Sequence, residues 1–166
     1  MAFTNQNKKQ IKNNTMKKIL VVLLVALSIN GFAQQKEIEW HTDVNKAIKI
    51  STETGKPLFM FFTGSDWCGW CKKLVKEVFV KQEFKTWAAK NAILVELDFP
   101  RRTPISDELK KQNRELANMF GVRGYPTGWL VIPTIVDGKV NFNKLGSQGY
   151  VAGGPKAWIA GANKIL

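Results

Sequence analysis

Leu58-Phe59-Met60-Phe61-Phe62 is an unbroken apolar run of strand length, and a run without alternation fits a strand covered on both faces rather than one with a wet side. Such a strand needs helices above and below it, which restricts the chain to a layered α/β architecture. A short loop then leads to Cys68-Gly69-Trp70-Cys71. Beyond it Leu74, Val75, Val78 and Phe79 keep helical spacing, while Lys72, Lys73, Lys76 and Glu77 fall on the opposite side. The two cysteines, the only ones in the chain, therefore open a helix at the C-terminal end of a buried strand. In open α/β sheets that edge is where ligand chemistry usually lies.

The flanking sequence supplies the remaining layers. Val44, Ala47 and Ile48 have the spacing of an amphipathic helix, with Asp43 or Thr42 as its N-cap and Gly55-Lys56-Pro57 as its stop. His41, the lone histidine, reads as a surface or capping residue just ahead of it. A second helical piece from Gln82 to Lys90, with Phe84, Trp87 and Ala88 inward, runs to Asn91 as C-cap. Ile93 to Asp98 reads as another buried strand, except that Glu96 puts a carboxylate in its middle. After a loop from Pro100 to Pro104 containing Arg101 and Arg102, Ser106-Asp107-Glu108 starts a helix with Leu109, Leu116, Met119 and Phe120, which Gly121 stops. Asp137-Gly138 between Trp129 to Ile132 and Val140 to Phe142 marks a hairpin, and a terminal helix from Pro155 buries Ala157, Trp158 and Ile165.

At 166 residues there is room for one ordinary domain, with 45% apolar content to build its core. That domain is expected over residues 34–166. Residues 16–33 read as a signal peptide, with Lys17-Lys18 as a basic start, Ile19 to Ile29 as the apolar stretch and Gly31-Phe32-Ala33 before the cleavage point. The apolar stretch is short of the roughly 20 residues that a membrane-spanning helix needs. Residues 1–15 are polar and without apolar periodicity, and read as a disordered extension or a mis-assigned start ahead of Met16. Export to the periplasm or cell envelope, or onward into the medium, is the expectation. Cleavage after Ala33 leaves 20 Lys and Arg against 13 Asp and Glu, a net charge of +7. These charges are scattered, without an Arg-rich run or an aromatic ladder, so they read as solvated surface and no nucleic-acid partner is expected.

Trp67-Cys68-Gly69-Trp70-Cys71-Lys72 after a buried strand, together with Gly124-Tyr125-Pro126-Thr127 later in the chain, resembles the thioredoxin superfamily, and is most similar to its exported thioredoxin-like members and to disulfide isomerase domains. The resemblance spans roughly Trp40 to Leu166. It implies a thioredoxin fold, an α/β domain with a central mixed β-sheet flanked by helices. It also implies a cis bond before Pro126 that lets the backbone at Gly124 and Tyr125 pair with an extended substrate segment. Trp67, Gly69 and Trp70 would complete the substrate-binding rim, with packing as the alternative role for each tryptophan. The partners implied are protein disulfides or thiols and a membrane thiol-disulfide electron carrier. No cofactor is implied beyond a redox-active Cys68–Cys71 disulfide.

The residues themselves carry the same chemistry. At a helix N-terminus, free backbone N–H groups and the helix dipole stabilise a thiolate, so Cys68 is expected to attack and Cys71, one turn further in, to resolve the mixed disulfide. Zinc would require ligands beyond two cysteines and a distant histidine, so no metal is expected. A structural disulfide remains open, although a loop this small contributes little stability. In that reading the chain is a redox-inert peptide-binding module. Thioredoxin carries a buried aspartate on the strand before its cysteines, and here that place is Phe61 or Phe62. Glu96 on the neighbouring strand is the candidate substitute as proton acceptor for Cys71, with a salt bridge to lysine as its alternative role. A Gly-Trp pair between the cysteines leaves the redox direction, reduction or isomerisation, open.

Overall fold

All six side chains of the strand Leu58–Thr63 (β2) are buried, and the other elements are arranged to cover them. The computed structural model describes residues 38–166; the expected extension (1–15) and signal peptide (16–33) lie outside the described residues. In chain order the elements are β1 (Trp40–His41), α1 (Val44–Thr54), β2, α2 (Gly69–Leu74) continuing into a π-helical turn (Val75–Phe79), α3 (Gln82–Asn91), β3 (Ile93–Asp98), α4 (Asp107–Met119), β4 (Thr127–Val136), β5 (Lys139–Gln148) and α5 (Gly154–Ile165). The sheet order is β1-β3-β2-β4-β5. The strands β1, β3 and β2 are parallel, while β4 runs antiparallel to β2 and β5 antiparallel to β4. This is the expected thioredoxin-type mixed sheet between helical layers.

Alternation along β2 divides the core in two. Phe59 and Phe61 face a cluster with both cysteines, Leu74, Val78, Phe79, Phe84, Trp87 and Trp158, which belong to α2, the π-helical turn, α3 and α5. Leu58, Met60 and Phe62 face Val44, Ala47 and Ile48 of α1 and Leu116, Ala117 and Phe120 at α4. Trp158 is the hub of the first cluster. Its ring lies 5.3 Å from Phe59, 5.5 Å from Phe79, 5.4 Å from Phe84 and 5.7 Å from Trp87, all edge to face. Its Nε1–H donates to the Gly149 carbonyl at 3.1 Å, so its one polar atom is satisfied.

Local punctuation matches the sequence reading at several ends. Asp43 caps α1 by accepting from Asn45 N–H at 2.9 Å, and Gly55 ends it in the left-handed region at φ 70°. Ser106 caps α4, and Asp137 and Gly138 both take positive φ, the two-residue turn that right-twisted strands favour. The hairpin strands are longer than expected. Leu58↔Val131 is the last pair between β2 and β4, so Pro133 lies where β4 has lost its inner neighbour and no N–H is needed.

Four expectations need correction. His41 is not a surface cap: it is 7% exposed, paired beside Val95 in the short strand β1, with Nδ1 3.3 Å from Glu39 Oε1. Val75 does not point inward, because the π-helical turn, closed by Val80 N–H to the Val75 carbonyl at 3.1 Å, leaves it 37% exposed. Met119 is exposed, and the inward seam of α4 uses Asn113, whose amide donates to the Asp98 carbonyl at 2.9 Å. Asn91 is the last helical residue rather than the cap, and its amide back-bonds to the Trp87 carbonyl at 2.7 Å.

Because Trp158 touches four aromatic rings in a dry cluster, Trp158→Ala should lower the unfolding free energy by about 3–5 kcal/mol. Urea unfolding checks this through the midpoint at unchanged slope; a loss under about 1 kcal/mol would show that the cluster collapses around the gap.

Candidate active site

Cys68 occupies the N-cap of α2 in an extended conformation, and its Sγ accepts the Cys71 backbone N–H at 3.2 Å. The Cys68 carbonyl starts the helix by accepting from Lys72 N–H at 3.1 Å, and its own N–H is held by the Gly64 carbonyl at 2.8 Å. The two sulfurs are joined in a disulfide across a Cα–Cα distance of 5.3 Å. Cys68 is 6% exposed and Cys71 1%. The first sulfur is thus better covered than an exposed first turn suggests, although it remains the outer of the two. An N–H aimed at Sγ in the oxidised state is poised to stabilise the thiolate once the bond is reduced, and the helix dipole acts in the same direction.

The loop that delivers Cys68 is stitched to the end of β3 and the segment after it. Ser65 N–H donates to Asp98 Oδ1 at 2.8 Å, and Trp67 Nε1–H to the Phe99 carbonyl at 2.8 Å. The Asp66 carboxylate accepts three successive backbone N–H groups, from Arg101 at 3.0 Å, Arg102 at 2.6 Å and Thr103 at 3.0 Å. These donors, with the charge of Arg102, hold the Asp66 carboxyl below its ordinary range despite some desolvation. Gly64 is required here, because a Cβ would come within 2.5 Å of the Trp67 indole.

The two tryptophans play different parts. Trp67 is half-buried, edge-on to Tyr125 at 5.8 Å, with the Arg101 guanidinium 3.9 Å above its ring. Trp70 is 58% exposed and stands 5.3 Å from Tyr150, with Lys73 Nζ 5.1 Å from its ring. Tyr150 is fixed in turn by donating to Glu77 Oε2 at 2.6 Å. Gly69 is exposed with open space where a Cβ would be, and so is Gly124. The Tyr125–Pro126 peptide bond is cis. Tyr125 packs between Trp67 and Phe99, and burial pushes its hydroxyl up, so it stays protonated. The carbonyl of Gly124 accepts from Thr127 Oγ1 at 2.8 Å.

Glu96 is paired in register with Phe61, on the sheet face that α2 covers. A groove of about 440 Å³ connects it to Cys71, with Lys72, Lys76, Val75 and Val80 along its walls. No ion pair links Glu96 to a lysine among the described residues. Burial, with a smaller push from the Asp98 charge, raises its carboxyl above the ordinary range. No cluster of metal-ligating side chains occurs among the described residues.

Asp66, Arg101, Tyr150 and Glu77 were absent from the sequence-derived set. Their roles depend on contacts between distant segments, and only the position of Asp66 next to the Trp67-Cys68 pair hinted at one of them.

A family model described as a thioredoxin-like domain matches residues 44–146. The chain is 31% identical over 129 residues to the disulfide bond reductase DsbH of Chlamydia pneumoniae, covering 78% of this chain and 73% of that protein. It is 32% identical to the thioredoxin-related protein DsbJ of the same organism, over 71% of this chain but 36% of that longer protein. Among solved structures, a DsbH oxidoreductase superposes with a TM-score of 0.70 at 29% identity, covering 78% of this chain and 85% of that one. A thioredoxin from Thermus thermophilus shares the fold at TM-score 0.57 and 16% identity, with 78% and 87% covered. The chain therefore belongs to the thioredoxin-like family and is a thiol-disulfide oxidoreductase of the thioredoxin superfamily.

Proposed function

We propose that this chain is an exported reductase of protein disulfides, working in the periplasm or cell envelope. The observation that carries the reading is the Cys71 N–H directed at Cys68 Sγ at the start of α2. In the dithiol form the Cys68 thiolate attacks one sulfur of a substrate disulfide, whose partner sulfur leaves as a thiolate and takes up a proton. Cys71 then loses its proton and attacks Cys68 Sγ, releasing the second substrate thiol and forming the Cys68–Cys71 disulfide. Two electrons pass to the substrate in each cycle. A membrane thiol-disulfide carrier returns them, a partner proposed from the extracytoplasmic setting that the signal-like residues 16–33 imply.

In the same reading Tyr125 and Pro126 hold an extended substrate segment against the cysteines, with Gly124 and Gly69 leaving room for its backbone. Trp70 forms one wall, and Trp67 supports the other from beneath Arg101. Glu96 is the proton acceptor for Cys71. What supports this role is its raised carboxyl in a groove that also reaches Cys71, with no ion pair to a lysine among the described residues. The name of the DsbH relative favours reduction over isomerisation as the direction.

Two sets of variants test the cycle. Cys68→Ser should bring dithiothreitol-driven insulin reduction down to the uncatalysed rate, whereas Cys71→Ser should accumulate mixed disulfides with substrate on a non-reducing gel. Turnover surviving in Cys68→Ser would refute the assignment.

Glu96→Gln should slow resolution of the mixed disulfide by on the order of 100-fold and remove the acid-side inflection of its pH profile. Stability should move the other way. Since the folded-state pKa lies above the unfolded one, the folded chain binds the proton more tightly, and this contribution, full at acid pH, is lost as pH rises through the raised value. Glu96→Gln should therefore raise the thermal midpoint at pH 8 and leave it nearly unchanged at pH 4. An unaltered pH profile would make Glu96 a structural residue.

A further inference from the structure

Arg101 has been placed with more care than a surface arginine in a loop requires. Its backbone N–H donates to Asp66, as do those of the next two residues, so the loop cannot swing away from the segment that carries Cys68. Its guanidinium lies 3.9 Å over the Trp67 ring, and that ring is itself held by Phe99 and Tyr125. Trp67 directly precedes Cys68, so the cation is anchored on the side chain next to the cysteine that meets the substrate.

Among the described residues that cation has no carboxylate of its own. None of the ion pairs among the described residues includes Arg101. Asp66 spends its oxygens on backbone N–H groups, and the arginine whose charge acts on it is Arg102. Lys72, on the other side of the cysteines, donates to the Asp66 carbonyl at 2.9 Å rather than to a carboxylate, so it adds positive charge to the same rim. A guanidinium stacked on an aromatic face keeps its five N–H donors around the ring edge, in the plane that matches a carboxylate in two-point contact. Held there by the indole, it also loses little rotamer freedom when it pairs.

We propose that Arg101 is a specificity-determining residue that reads a carboxylate beside the reactive cysteine of the substrate, so that the preferred substrates are protein disulfides flanked by Asp or Glu. This rests on the reductase reading above. Trp67 is the platform for the arginine rather than a surface the substrate stacks on, and Asp66 and the loop after β3 exist to keep the pair in place. Charge attraction at an exposed rim also predicts that the preference weakens with salt.

The test uses the full chain and two disulfide-linked peptides that differ only in Glu or Gln next to the reactive cysteine. The Glu peptide should show about fivefold higher kcat/KM at low ionic strength, mostly through KM, and the ratio should shrink towards one at high salt. Arg101→Gln should bring the ratio to one at any salt, Arg101→Lys should leave part of it, and Arg102→Gln should keep it. Equal rates for the two peptides in the unaltered chain, or a ratio that survives Arg101→Gln, would overturn the inference. A readout without turnover separates it from the reductase reading. With serine in place of the peptide cysteine, the Glu version should shift the Trp67 indole N–H resonance more than the Gln version does, and Arg101→Gln should abolish the difference. A chain that reduces neither peptide would refute the reductase reading alone, and the titration then decides the carboxylate site, with no Glu-dependent shift counting against it.

Discussion

With no wet face on β2, Phe59 and Phe61 must be covered from one side while Leu58, Met60 and Phe62 are covered from the other. That double demand places helices on both faces of the sheet. It also fixes where the disulfide lies, since the helix that covers Phe61 is the one Cys68 starts. Burial of five large side chains on one strand is worth on the order of 10 kcal/mol at about 1.5–3 kcal/mol each, so the cysteines sit on one of the least deformable parts of the molecule. Thiol exchange needs that rigidity. The Cys71 N–H has to remain aimed at Cys68 Sγ whether the sulfur is bonded or charged.

A rigid strand does not by itself position the loop at its end. Between Thr63 and Cys68 the chain is held by hydrogen bonds from Ser65 to the last residue of β3 and from Trp67 to the segment after it, and by three N–H groups converging on Asp66. The elements β2 and β3 are neighbours in parallel register, so their C-terminal ends emerge side by side and their following loops can be laced together. The sheet topology thus brings residues of the second loop, among them Arg101, to the chemistry of the first. Tyr125, between Trp67 and Phe99, joins the cis-proline segment to the same pair.

Much of this was legible in the residues. The apolar run of β2, the caps at Asp43 and Gly55, and the Asp137-Gly138 turn are local signals with local causes, and they appear where the pattern predicts them. The misses share a different origin. Two residues of β1 have too little length for any period, and only pairing with β3 makes His41 a buried strand residue. Val75 keeps helical spacing in the sequence but is turned out by a π-helical turn whose extra residue no hydropathy pattern marks. Asn113 takes an inward position on α4 because a strand-end carbonyl at Asp98 needs a donor. The lacing of Asp66 to residues 101–103 is equally invisible, being a contact between segments more than thirty positions apart.

Two carboxylates lie near the disulfide, and their surroundings push them in opposite directions. Asp66 is held below the ordinary carboxylate range by backbone donors that also fix a loop, which favours its charged form and makes it a poor proton acceptor. Glu96 has lost water without gaining an ion-pair partner among the described residues, which makes its charged form costly and raises its affinity for a proton. Divergent environments of this kind sort paired acids into separate duties. Thioredoxin-type chemistry usually draws its acid from the strand before the cysteines. With Phe61 filling that place, Glu96, its register partner on β3, stands one strand over on the same face of the sheet. Phe61 packs into the core beneath α2, and the exposed Val75 of the π-helical turn lies along the groove that connects Glu96 to Cys71. In the proposed reading core packing falls to β2 and proton transfer to β3, so the two demands do not compete for one position.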